Sequence, residues 1–122
     1  DSQGTEILID VLKNVEFNED DFQEIVNYCK EREITFLCTP WDIPSVNFLE
    51  KLDVPAYKIA SADLTNFPLI AHISKLNKPM IISTGMSEME EIERTVGFVK
   101  KSLLGSKGRV LQFWAVQAPK ML

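Results

Sequence analysis

The chain has 122 residues, a formal net charge of -5 and 45% apolar residues, which suffices for one domain with a sizeable core. Its acids and bases are interspersed, so neither nucleic acid nor a membrane surface is expected as a partner. Cys29 and Cys38 form no C-x-x-C pair, which argues against a zinc site. No apolar run approaches the roughly 18 residues of a spanning helix and no signal segment is visible, so a cytoplasmic location is predicted.

The first half of the chain predicts helices on either side of one strand. A weak helix is predicted near residues 5–14, and a stronger one from Asn18, which is followed by first-turn acids. Residues 34–38 are short, apolar and rich in β-formers, and they stop before Pro40. They predict a buried strand. Residues 44–52 then predict a short helix.

The same cycle of strand and helix follows along the chain. Residues 56–60 predict a strand, Asn66 predicts the start of a helix with Pro68 in its first turn, and residues 80–83 predict another strand. Because each strand is apolar almost throughout, the sheet is expected to be covered on both faces.

The last predicted helix begins at a capping box formed by Ser87 and Glu90, and its apolar stripe runs from Met89 to Leu103. A final strand is predicted at residues 110–116. Four strands that alternate with helices predict an α/β fold with a parallel sheet. The spacing fits either an open doubly wound sheet or part of a (β/α) barrel.

Lys58 lies within the strand predicted at residues 56–60. Strict alternation places it on one face with Ala56 and Ala60, so the ammonium has small residues on either side. A buried lysine requires a partner, which here would be a phosphate or carboxylate. The alternative is that this strand forms the edge of the sheet and that Lys58 points to water.

Hydroxyl side chains close this strand and the next one along the chain. Ser61 follows the first, and Ser83 with Thr84 and Gly85 closes the second. Hydroxyls beside a glycine can donate to phosphate oxygens together with backbone amides. Each residue alone also suits an ordinary loop. Their conjunction with Lys58 predicts a site for a small anion at the carboxyl ends of the strands, where α/β enzymes bind ligands.

Other polar features have plainer interpretations. Trp41 is interpreted as a packed side chain in a loop stopped by proline, and Asp42 as a helix cap. His72 is placed on the helix behind the strand of Lys58, where no metal-binding or base role is expected. The acidic run at residues 88–93 is interpreted as a solvated helix face.

Three stretches of the chain resemble the N-acetylneuraminate (sialic acid) synthase family. They are ITFLCTPWD at residues 34–42, VPAYKIASADLTNFPL at 54–69 and KPMIISTGM at 78–86. The resemblance implies an incomplete TIM barrel with about four of the eight βα units. Residues 1–122 would then be one partial barrel domain, with a poorly defined lead-in at 1–17 and a divergent end at 110–122.

The resemblance also implies a chemistry. The family condenses phosphoenolpyruvate with N-acetylmannosamine or a related N-acetylated sugar, releasing phosphate and giving a nonulosonic acid such as N-acetylneuraminate. By position, Lys58, Ser61 and Ser83 resemble its phosphoenolpyruvate contacts, Thr39 a lesser contact, and Asp63 an acidic residue near the sugar and a candidate for catalysis. A divalent metal, usually manganese, and a homodimer are implied, with the metal ligands outside this chain.

The chain departs from the family pattern at residues 113–119, where a polar phosphoenolpyruvate contact is missing. An incomplete barrel leads us to expect no condensation activity from the isolated chain. One alternative is a non-catalytic half-barrel that assembles with itself or with a complementary fragment, because open sheet edges invite pairing. Another is a different sugar-acid synthase that uses phosphoenolpyruvate and would share the anion site.

Overall fold

The computed structural model describes residues 10, 11, 13 and 16–104. Residues 10, 11 and 13 are helical and belong to the helix predicted near 5–14. The strand predicted at residues 110–116 and the divergent segment 113–119 lie outside the described residues. The chain divides between Thr35 and Phe36 into two compact units.

The first unit contains helix α1, Glu19–Glu31, which begins as predicted. The Asn18 side chain accepts hydrogen bonds from the backbone N–H groups of Asp20 and Asp21, at 2.8 and 3.1 Å. The Asp21 carboxylate in turn accepts the Asn18 backbone N–H at 2.8 Å. This reciprocal capping box satisfies donors that a helix start otherwise leaves without partners, and Val26 is buried on the inner face of the helix.

The prediction of a strand at residues 34–38 is wrong. None of these residues belongs to a strand; Ile34 is 62% exposed and Leu37 is 40% exposed. Phe36 and Cys38 are half-buried and pack against the core of the second unit. Alternate side chains can thus be buried without a backbone ladder, and hydrophobic pattern reports burial rather than strand pairing.

Two parallel strands form the sheet in the second unit. Strand β1 is Tyr57–Ile59 and strand β2 is Met80–Ile82. Tyr57 pairs with Met80, and Ile59 pairs with Ile82. The α/β class and the parallel sheet are confirmed, with two of the predicted strands present among residues 16–104.

The helices α2, Ile43–Lys51, and α3, Phe67–Ser74, follow the sequence signals. The Asp42 carboxylate caps α2 by accepting the Ser45 N–H at 2.7 Å. Hydrogen bonds from the Ser45 side chain and from its backbone lower the pKa of Asp42. Asn66 caps α3 by accepting the Leu69 N–H at 3.4 Å. The prediction of a packed Trp41 is wrong, because its side chain is 63% exposed.

Helix α4, Met89–Leu104, begins one residue later than its predicted capping box implies. Glu88, rather than Ser87, occupies the capping position, and its N–H donates to the Glu91 carboxylate at 3.0 Å. The Ser87 hydroxyl instead donates to the Gly85 carbonyl at 3.4 Å. Met89, expected on the buried stripe, is 62% exposed.

The core lies between one face of the sheet and the helices of the second unit. Its buried members are all apolar or aromatic. They are Val46, Leu49, Val54, Tyr57, Ile59, Leu64, Leu69, Ile70, Ile73, Met80, Ile82 and Val99. Helices α3 and α4 meet through the rings of Phe67 and Phe98, whose centroids are 4.8 Å apart.

A polar network closes the core at the amino ends of the strands. The buried Tyr57 hydroxyl donates to the Glu50 carboxylate at 2.7 Å, and the Lys78 ammonium lies 2.8 Å from the same carboxylate and 3.4 Å from Asp53. Burial raises the pKa of Tyr57, and the Glu50 carboxylate raises it further. Burial also acts to raise the pKa of Glu50, but the hydrogen bonds from Lys78 and Tyr57 outweigh it and the net shift is downward.

Replacing Glu50 tests this network. Because the pKa of Glu50 is lowered on folding, its contribution to stability is complete above the ordinary value of 4.5 and is lost as pH falls through the folded value. At pH 7, Glu50→Gln is expected to reduce the free energy of unfolding by about 1–2 kcal/mol, measured by urea denaturation. The variant should also lose part of the decline in stability that the wild type shows on acidification.

The matched control is Asp53→Asn, which removes the weaker contact to the same Lys78. Asp53 is 95% exposed, so the surrounding water screens its attraction to the ammonium, and little change in stability is expected. No loss of stability in Glu50→Gln relative to Asp53→Asn and the wild type, or an unchanged acid profile in Glu50→Gln, would show that the network does not stabilise the fold.

Candidate functional site

The carboxyl ends of β1 and β2 lie side by side. The backbone pairing continues one residue past β2, since the Ser83 N–H donates to the Ile59 carbonyl at 3.1 Å. Ser61 and Gly85 lie beyond these ends, and a Cβ placed on Gly85 would be 3.6 Å from the Ser61 hydroxyl oxygen. The structure therefore brings together the two hydroxyl-bearing strand ends that the sequence singled out.

Lys58 occupies the face of the sheet opposite the core. Its paired residue on β2 is Ile81, and both side chains are half-buried. Ala60 and Ser83 lie on this face by the alternation of strand residues and are also half-buried. The alternation predicted around Lys58 is confirmed. Among residues 16–104 no ion pair involves its ammonium.

The loops that follow β1 and β2 enclose an open cleft of about 230 Å³. The cleft is rich in hydroxyls and carries one carboxylate. Its lining residues are Ser61, Ala62, Leu64, Thr65, Gly85, Met86, Ser87 and Glu91. Met86 is fully exposed and has a φ of 58°, a left-handed backbone conformation that residues other than glycine rarely adopt.

Asp63 ends a short 3-10 helix, Ser61–Asp63, and is only 9% exposed. One carboxylate oxygen, Oδ1, accepts a hydrogen bond from the Asn66 side-chain amide at 3.0 Å. The other, Oδ2, is buried and has no hydrogen-bond partner among the described residues. A buried carboxylate oxygen without a donor is costly, so Asp63 is a candidate for a role other than stability.

Of the predicted site residues, Ser61 lines the cleft, whereas Lys58, Ser83 and Asp63 are not among its lining residues. Thr39 is half-buried in the segment after Cys38 and is not among the cleft-lining residues. Burial raises the pKa of the Cys38 thiol. His72 lies on α3, where its Nε2 is 3.0 Å from the Asn47 side-chain oxygen, away from the strand ends as predicted.

Sequence reasoning missed two residues of this region. Glu91 was assigned to a solvated acidic face, but it is half-buried, lines the cleft and accepts the Glu88 N–H. Thr95 is completely buried on α4 and donates to the Leu64 carbonyl at 2.8 Å. Helical spacing from Glu91 to Thr95 is the only sequence signal that could have placed them on one face.

No group of three or more His, Cys, Asp or Glu side chains among the described residues could hold a metal ion. No helix among them is both long enough and apolar enough to cross a membrane.

Comparisons with known proteins confirm the resemblance noted in the sequence. A family model described as NeuB family matches residues 1–110. The chain is 40% identical over 88 residues to N-acetylneuraminate-9-phosphate synthase from Drosophila melanogaster, covering 72% of this chain and 24% of that protein. It is 35% identical over 94 residues to N,N'-diacetyllegionaminic acid synthase from Campylobacter jejuni, covering 77% of this chain and 28% of that protein.

The fold agrees with a solved relative. The crystal structure of N-acetylneuraminic acid (sialic acid) synthetase from Leptospira borgpetersenii in complex with citrate matches with a TM-score of 0.73 and 31% identity. The match covers 77% of this chain and 33% of that one. Structural neighbours of this kind are TIM-barrel proteins. The chain spans about a quarter of the length of the curated relatives it matches.

A stability measurement can test the unusual environment of Asp63. Since Oδ2 has no donor among the described residues, Asp63→Asn is expected to keep the free energy of unfolding within about 0.5 kcal/mol of the wild type, or to raise it. Asn66→Ala removes both the cap of α3 and the donor to Oδ1, so it is expected to lose about 1 kcal/mol or more. Urea denaturation of both variants gives the comparison. Equal losses would mean that the Asp63 carboxylate is a structural element.

Proposed function

Since the chain belongs to the NeuB family, we propose that it is the central part of a nonulosonic acid synthase. In the proposed reaction, phosphoenolpyruvate condenses with N-acetylmannosamine or a related N-acetylated sugar, and phosphate is released. The names of the relatives support synthesis of sialic or legionaminic acids as a class. We also propose a homodimer, as the family resemblance implies.

The observation that carries this proposal is the placement of Lys58 relative to Ser61 and Ser83. Lys58 and Ser83 share the half-buried face of the sheet, and Ser61 follows the carboxyl end of the strand that bears Lys58. A cation on this face, together with two hydroxyl donors at the ends of the same strands, suits a ligand with a phosphate and a carboxylate, which phosphoenolpyruvate has. The solved relative that holds citrate shows that a family member binds a small polycarboxylate.

The proposed roles follow from charge. Lys58 and the hydroxyls of Ser61 and Ser83 hold the phosphate and carboxylate of phosphoenolpyruvate, and they stabilise negative charge that develops on the oxygen of the departing phosphate. Thr39 is proposed as a lesser contact. Asp63 is proposed as the acidic residue near the sugar and as a candidate for catalysis, as the family resemblance implies.

The proposed reaction includes a divalent metal, with manganese expected from the resemblance. The described residues do not form a site that fits it, since they hold no cluster of three suitable side chains. Its ligands would therefore come from outside residues 16–104, and no step of the proposal for this chain passes through the metal.

Removing the Lys58 charge tests the proposal. Lys58→Ala is expected to weaken phosphoenolpyruvate binding about tenfold or more, because a charge-assisted contact to the ligand is lost. Binding is measured by NMR titration of the labelled chain. The fold should persist, since Lys58 has no ion pair among the described residues. The control is Lys75→Ala, which removes an exposed lysine at the end of α3. Equal affinities of both variants would favour the interpretation of Lys58 as a solvated edge residue.

Self-assembly is a second candidate function, and exposed apolar side chains favour it. Leu37, Trp41 and Ile43 are 40, 63 and 39% exposed, and the sheet of the described residues has only two strands. Open edges and exposed apolar groups favour pairing with another copy. Sedimentation equilibrium should then show a dimer that Trp41→Ser weakens. A monomer that unfolds cooperatively would count against this function.

A further inference from the structure

Thr95 connects helix α4 to the loop that carries two of the proposed site residues. We infer that Thr95 is a positioning residue, which holds the loop of residues 60–66 in the geometry that phosphoenolpyruvate and the sugar require. The inference rests on the proposed function, because it concerns the same site. Thr95 itself contacts the loop backbone and acts on the ligands through Ser61 and Asp63.

The contact made by Thr95 is unusual for a threonine in a helix. Such a hydroxyl ordinarily bonds to a carbonyl one turn earlier in its own helix or faces water. Thr95 is 0% exposed, and its hydroxyl donates at 2.8 Å to the carbonyl of Leu64, 31 residues away in sequence. Valine would fill the same volume on this face, where Val99 is also fully buried. The hydroxyl is therefore the feature that distinguishes Thr95 from an ordinary core residue.

The accepting carbonyl belongs to the turn that shapes the site. The Leu64 N–H donates to the Ser61 carbonyl at 3.2 Å, and the Asn66 N–H donates to the Asp63 carbonyl at 3.0 Å. Leu64 is 2% exposed, so its carbonyl needs a partner within the protein. A shift of Leu64 would move Asp63, its neighbour in the chain, and would break the turn that begins at Ser61.

Helix α4 also contributes to the opposite wall of the cleft. Glu91 lies one turn before Thr95 on the same helix and lines the cleft. The Arg94 guanidinium lies 5.3 Å from the centre of the Phe67 ring, which holds the start of α3 against α4. Helix α4 thus lines the cleft through Glu91 and is hydrogen-bonded, through the Thr95 hydroxyl, to the loop that bears Ser61.

The test compares variants that differ in the hydroxyl with a control for buried hydroxyls in general. Thr95→Val removes the donor and keeps the shape, whereas Thr95→Ser keeps the donor. The control is Ser74→Ala, because the Ser74 hydroxyl is also buried and donates to a carbonyl, that of Ile70, but does so within α3. Amide hydrogen exchange is followed by NMR on the labelled full chain.

Thr95→Val is expected to speed exchange at the Leu64 and Asn66 amides about tenfold more than at the Tyr57 amide in the sheet. Thr95→Ser should stay within about twofold of the wild type, and Ser74→Ala should not affect the loop selectively. Uniform acceleration in Thr95→Val would reduce Thr95 to a general stabilising residue and overturn the inference.

A phosphoenolpyruvate titration of the same samples provides the functional readout. Thr95→Val is expected to bind about three- to tenfold more weakly, with Thr95→Ser and Ser74→Ala near the wild type. Unchanged affinity in Thr95→Val would overturn the positioning role even if the loop loosens. If the wild-type chain itself fails to bind phosphoenolpyruvate, the proposed function is contradicted, and the exchange data alone decide whether Thr95 holds the loop.

Discussion

The parallel pairing of β1 and β2 is the constraint from which the site follows. Side chains alternate between the two faces of a strand, so a slip of one residue would exchange the faces. The register that buries Tyr57 and Ile59 in the core necessarily places Lys58 on the opposite face. The same register brings Ser83 level with the end of β1. Packing of apolar side chains on one face thereby positions polar side chains on the other.

The two ends of the strands differ in how well their polar groups are satisfied. At the amino ends, the Tyr57 hydroxyl, the Glu50 carboxylate and the Lys78 ammonium satisfy one another. At the carboxyl ends, one buried carboxylate oxygen of Asp63 has no hydrogen-bond partner among the described residues. Barrel enzymes divide their strands in the same way, with stability at the amino ends and chemistry at the carboxyl ends. A buried polar atom without a partner at the carboxyl ends is therefore what a ligand site is expected to show.

Local signals in the sequence were enough for most elements, and the errors have different causes. The caps at Asn18 and Asn66 were predicted because a capping side chain bonds to backbone within its own turn. The strand at residues 34–38 failed because strand pairing depends on a distant partner. The start of α4 was displaced because Glu88 and Glu91 have the same spacing as Ser87 and Glu90.

Alternation alone placed Lys58 on the correct face, whereas its proposed ligand came from the family resemblance. The role of Thr95 could not be predicted from the sequence, because its contact is not local. No local sequence pattern around a threonine in an apolar stripe predicts a hydrogen bond to a residue 31 positions earlier. Such side-chain contacts between distant segments become visible only when the fold is known, and here the contact connects the core to the candidate site.

The partial length of the chain bears on the strength of the proposed anion site. Among the described residues Lys58 is half-buried, so water screens the charge of its ammonium. The chain covers about a third of a solved TIM-barrel relative, in which further strands would cover the face of the sheet that bears Lys58. Covering it would remove water from the ammonium, which raises the cost of leaving the charge without a partner and strengthens its attraction to an anion. Lys58 is therefore expected to hold its proposed ligand more tightly in a closed barrel than in the isolated chain, because the neighbouring strands lower the dielectric constant around it.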